Sequence, residues 1–66
     1  MKASELRELT VEELKDELHR LKEELFQLRL EKARGSLSQP HRFRLIRRDI
    51  ARILTILREK ESHGTE

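Results

Sequence analysis

Two stripes of large apolar side chains, separated by a single break, constrain this chain more than any other feature. Leu14, Leu18, Leu21, Leu25 and Leu28 are spaced 4, 3, 4, 3, and Phe43, Ile46, Ile50, Ile53 and Leu57 are spaced 3, 4, 3, 4. Intervals of three and four bring a side chain back to the same face of an α-helix, whereas a strand repeats every second residue. Each stripe is therefore the buried seam of one helix. Between them lies Gly35-Ser36-Leu37-Ser38-Gln39-Pro40, with a glycine at one end and the chain's one proline at the other. Such a segment interrupts a helix, and a short connection between two amphipathic helices folds them back on each other. The sequence predicts an all-α fold, a long antiparallel two-helix hairpin. Leu28 should face Ile46, Leu25 Ile50, Leu21 Ile53 and Leu18 Leu57.

Local signals set the helix ends, with helix one at about 10–34, a loop at 35–39, helix two at about 40–61 and a frayed tail at 62–66. Thr10 and Glu13 have the spacing of a capping box, in which each side chain bonds the other's backbone N–H. Leu9 and Leu14 take the places of a hydrophobic staple around it. Glu12, Glu13, Asp16 and Glu17 crowd the first turns, where the helix dipole favours negative charge. Lys32 and Arg34 close the helix, with Gly35 as its left-handed cap. The second helix should start near Ser38 or Gln39, with Pro40 tolerated in its first turn because that N–H has no helical partner. Ser4 is expected to cap a short helical turn through Glu8 that carries Leu6.

A chain of 66 residues forms one domain at most and buries little core. It has no cysteine, which excludes disulfides and thiolate metal sites. His19, His41 and His63 lie on separate segments without metal-site spacing. There is no glycine-rich phosphate loop and no nucleophile elbow, and two helices enclose no pocket. No enzyme, cofactor, metal or small-molecule substrate is expected. No apolar run approaches the ~20 residues of a membrane span, and the acidic N-terminus suits neither a secretory signal nor a transit peptide. A cytoplasmic protein without a membrane partner is the expectation.

Charge is distributed unevenly. Residues 1–33 hold nine acids and seven bases, a balance of −2, while 34–58 hold seven arginines and one acid, Asp49, a balance of +6. Residues 59–66 return −2, giving the net +2. Every cation from Arg34 to Arg58 is arginine. The planar guanidinium fork suits phosphate oxygens, and a merely solubilising face would intersperse glutamates. On a helical wheel Arg44, Arg47, Arg48, Arg52 and Arg58 spread over the half opposite the seam. The candidate RNA-binding residues are Arg34, His41, Arg42, Arg44, Arg47, Arg48, Arg52 and Arg58.

The only aromatics are Phe26 and Phe43, and Phe43 is on the seam, which leaves no stacking platform for single-stranded bases. Asparagine is absent and the only glutamines are Gln27 and Gln39, a poor provision for reading adenine edges. Recognition of a structured nucleic acid through phosphates and sugars remains. Phe26, Leu30 and Ala33 point away from the leucine seam, which marks them as a candidate protein-contact surface.

The segment Gln39-Pro40-His41-Arg42-Phe43-Arg44-Leu45-Ile46-Arg47-Arg48-Asp49-Ile50-Ala51-Arg52-Ile53 is similar to the signature of the twenty-ninth large-subunit ribosomal protein family. Its core from Arg47 to Arg52 is the most specific part. The opening from Met1 to Leu14 resembles the family's start, and Phe26-Gln27-Leu28-Arg29 its middle. The resemblance covers nearly the whole chain. It implies a helical hairpin on the large ribosomal subunit, bound to the first domain of the large rRNA. It also implies a place near the peptide tunnel exit beside the twenty-third large-subunit protein, where trigger factor and the signal recognition particle dock. Arg47, Arg48 and Arg52 belong to the motif, and their assignment to rRNA contact follows from their face. Without a transit peptide, a bacterial ribosome is expected before an organellar one. Two other classes stay open on the residues alone: a homodimeric four-helix bundle that binds RNA as a regulator, and a coiled-coil adaptor whose arginines meet acidic partner helices.

Overall fold

The computed structural model describes residues 2–36 and 40–64, with side chains described through Ser62. It contains α1 (Ala3–Arg7), α2 (Val11–Ala33) and α3 (Pro40–Gly64), and among the described residues no strand. α2 and α3 pack along each other as the two arms of a hairpin, and α1 packs against α3. The molecule is a rod of 47 × 17 × 14 Å.

The capping signals at both ends of α2 operate as read. The Glu13 N–H donates to Thr10 Oγ1 at 3.1 Å, and the Thr10 N–H donates to Glu13 Oε1 at 2.9 Å. At the other end Gly35 takes φ +74°, the left-handed conformation that costs glycine nothing. That geometry lets the Ser36 N–H reach the Glu31 carbonyl at 2.9 Å and the Gly35 N–H reach that of Lys32 at 3.0 Å. Two carbonyls that the helix end would orphan are thereby satisfied.

Two boundaries differ from the sequence reading. Ser4 is not a cap: α1 begins at Ala3, two residues earlier than a Ser4 cap would start it, with Lys2 as an N-cap that makes no side-chain bond. The Lys2 carbonyl instead accepts from Glu5 and Leu6, both at 3.1 Å. α3 begins at Pro40, and the alternative starts at Ser38 or Gln39 lie outside the described residues. α3 also continues past Glu61 to Gly64. Nothing from Glu59 to His63 breaks a helix, and this end is tied to α1. Lys60 Nζ donates to the Arg7 carbonyl at 3.0 Å, and Arg7 Nε stands 3.5 Å from the Glu59 carboxylate. Thr65 and Glu66 lie outside the described residues.

The buried core comprises Leu14, Leu21, Leu25 and Leu28 of α2, Ile46, Ile53, Ile56 and Leu57 of α3, and Leu6 of α1. Leu18, Phe43 and Ile50 complete the two stripes as half-buried side chains against that core, joined by Ala3, Leu9 and Val11. Ile56 does not belong to the stripe facing α2. Its burial to 2% exposure follows from the docking of α1, whose Leu6 is 1% exposed. The core thus has a second, shorter seam at the end of the rod away from the loop.

Candidate nucleic-acid interface

The outer surface of α2 mixes acids and bases, several of them paired. Arg20 lies against Glu17 and 3.5 Å from Glu24, and the Glu17 hydrogen bond raises the Arg20 pKa further above its ordinary value. His19 Nε2 is 2.9 Å from Glu23 Oε1. Such i, i+3 and i, i+4 pairs steady the helix and leave little net charge for a partner.

The outer surface of α3 differs. Arg44, Arg48 and Arg52 stand four residues apart, so they form one ridge along the helix, and all three are exposed. Arg47 and Arg58 are exposed beside that ridge. The only acid of the segment, Asp49, is half-buried. A 25-residue helix thus presents a continuous guanidinium strip with no exposed carboxylate between Pro40 and Arg58.

Three of the sequence-derived candidates are placed apart from that strip. Arg42 pairs with Glu24 of α2, so its guanidinium bridges the two arms. Arg34 is the exposed C-cap residue of α2, and His41 is exposed in the first turn of α3. Both belong to the loop end of the rod.

Two cations that charge counting passed over come beside the strip through tertiary structure. Lys32 of α2 stands 5.4 Å from the Phe43 ring centre, and Arg47 stands 5.9 Å from the same ring. A ring within about 6 Å of a cation attracts it through its quadrupole. Phe43 therefore draws one cation from each arm to the loop end. The second is Arg7 of α1, which shares a groove with Arg48 and Arg52. The stripe register could have suggested Lys32, which lies one turn beyond Leu28. Arg7 could be found only once the docking of α1 was known.

The apolar candidates are less uniform. Phe26 is 59% exposed, Ala33 is exposed and Leu30 is half-buried. Leu6 enters the core with α3 and leaves Phe26 open. Leu45 and Leu54, at 49% and 42% exposure, are further exposed apolar side chains at the edges of the α3 seam. Among the described residues no group of three or more His, Cys, Asp or Glu gathers to hold a metal ion. No helix among them is long and apolar enough to cross a membrane.

Residues 4–60 match the Ribosomal L29 protein family. The chain is 57% identical over 61 residues to the large ribosomal subunit protein uL29 of Persephonella marina, covering 92% of this chain and 90% of that one. It is equally similar, at 57% over 61 residues, to the uL29 protein of Carboxydothermus hydrogenoformans, covering 92% and 88% of the two chains. The uL29 protein of Mycolicibacterium smegmatis is 58% identical over 57 residues, covering 86% of this chain and 74% of its own. The matched span takes in the Thr10 cap, both stripes of the hairpin and the whole arginine strip, so this chain belongs to the ribosomal L29 protein family.

Proposed function

We propose that this chain is a structural constituent of the large ribosomal subunit that grips rRNA through the arginine strip of α3. Membership of the family supports the first part: the protein is a ribosomal component of the cytoplasm and not an enzyme. The observation that carries the second part is the row of exposed arginines along α3 from Arg44 to Arg58, beside an α2 of mixed charge. Guanidinium groups in a row along a rigid helix match the phosphates of a folded RNA, and such contacts read shape and charge without reading bases. Arg44, Arg47, Arg48, Arg52 and Arg58 are the proposed phosphate contacts. Arg34 and His41 extend the surface towards the loop, and Arg42 contributes mainly through its pairing with Glu24.

The finer location rests on the family resemblance. In this reading the strip lies on the first domain of the large rRNA, near the peptide tunnel exit and beside the twenty-third large-subunit protein. Phe26, Leu30 and Ala33, on the far side of α2, then face a protein neighbour or the docking factors, trigger factor and the signal recognition particle. An exposed Phe on an otherwise charge-paired helix surface supports that assignment.

The direct test is sedimentation with large subunits stripped of this protein. The chain should migrate with the subunit at low salt and leave it at high salt, because phosphate contacts release counterions. Free migration at low salt, or a dimer that binds no subunit, would reject the reading.

A further inference from the structure

Where α1 lies against α3, a groove of about 240 Å³ opens between them. Its floor is apolar, made by Ala3, Ala51 and Ile56, and its rim carries Arg7 from α1 with Arg48 and Arg52 from α3. The hydroxyl of Thr55, which also lines the groove, donates back to the Ala51 carbonyl at 3.0 Å and adds no free donor to the floor. Guanidinium groups hold backbone phosphates, and the apolar lining accepts the carbon face of a ribose between them. The groove is smaller than the ~300–1,000 Å³ usual for sites that enclose a small molecule. It therefore suits one unit of a polymer whose remainder lies outside, along the strip.

The anchoring of α1 also fits this use. A five-residue helix has no stability of its own, yet this one is held at its C-terminal end on two sides. Lys60 binds the Arg7 carbonyl, and Glu59 stands 3.5 Å from Arg7 Nε. Glu59 offsets part of the Arg7 charge in the free chain, and an RNA phosphate would compete with it for that guanidinium.

We propose that the α1–α3 groove receives one backbone nucleotide of the bound RNA, with Arg7 as a phosphate contact contributed from outside the arginine helix. This rests on the RNA-binding reading of α3, and the experiment separates the two. The affinity of the folded chain for deproteinised large-subunit rRNA is measured against salt for the native protein and four variants. Ala51→Leu fills the groove without changing charge, Arg7→Ala removes the proposed contact, Glu59→Gln removes the acid that competes with phosphate for Arg7, and Arg47→Ala lies outside the groove.

Ala51→Leu and Arg7→Ala should each weaken binding about tenfold, or roughly 1.4 kcal/mol. Arg7→Ala should also reduce the slope of log affinity against log salt by about 1. Glu59→Gln should bind as well as the native chain or more tightly. If Arg47→Ala weakens binding while Ala51→Leu and Arg7→Ala bind normally, the groove is overturned and the arginine strip stands. If Glu59→Gln weakens binding as much as Arg7→Ala, the pair merely holds α1 in place and the groove proposal fails. If the native chain does not bind, both readings fall. Circular dichroism checks each variant, and if Ala51→Leu loses helicity, the opposed effects of Arg7→Ala and Glu59→Gln decide the matter.

Discussion

Gly35 has φ +74°, and nothing lies within 4 Å of the point where a Cβ would stand. Any cost of adding a side chain there is therefore conformational and not steric crowding by neighbours. Gly35→Ala should destabilise the hairpin by about 1–2 kcal/mol in urea unfolding, and no loss at all would mean that the turn does not hold this conformation. At the opposite end of α2, two hydrogen bonds to Thr10, the one from its backbone N–H foremost, lower the Glu13 pKa below 4.5. A carboxylate lowered on folding stabilises above its unfolded value and loses that effect as pH falls through the folded one. Glu13→Gln keeps an acceptor in the capping box but removes the charge. The native protein should thus be the more stable at pH 7, and the two should converge in acid below pH 4.5. A difference independent of pH would contradict this assignment. These positions were readable from the sequence because caps are local, fixed by residues within about four places of each other. Ile56 was not, since the side chains that cover it come from the other end of the chain.

For whole elements the two stripes foretold α2 and α3 and their mutual packing, because burying each seam requires the other. The same reasoning could not dock α1. Five residues carry no periodicity, and Leu6 alone does not say which helix it will cover. Two core deletions and a control test these assignments. Leu21→Ala and Leu6→Ala empty positions that are 4% and 1% exposed, and each should cost roughly 2–5 kcal/mol. Losses of that size are a large part of the stability of so short a chain. Lys22→Ala, on the exposed face beside Leu21, should change unfolding very little. If Leu21→Ala and Lys22→Ala behaved alike, the stripe would be misassigned. If Leu6→Ala alone were silent, α1 would be an ornament on a two-helix core.

Across the whole rod, exposed chemistry divides by side. α2 turns a charge-paired surface with an exposed Phe to one direction, and α3 turns arginine to the other. Sequence patterning foretold the arginine side because composition and period coincide there; the groove beside α1 escaped it because its rim joins residues 41 to 45 places apart. The double variant Phe26→Ser, Leu30→Ser should melt almost as the native chain does, yet compete poorly for incorporation into large subunits. A loss of helicity in the isolated protein would instead make that patch internal. The central claim, that α3 holds RNA through its arginines, is tested most directly by reversing Arg47, Arg48 and Arg52 to glutamate and titrating large-subunit rRNA at moderate salt. The account predicts that binding is abolished while circular dichroism remains that of a helical protein. A loss smaller than about tenfold, or roughly 1.4 kcal/mol, would contradict it and reduce the strip to a solvated face.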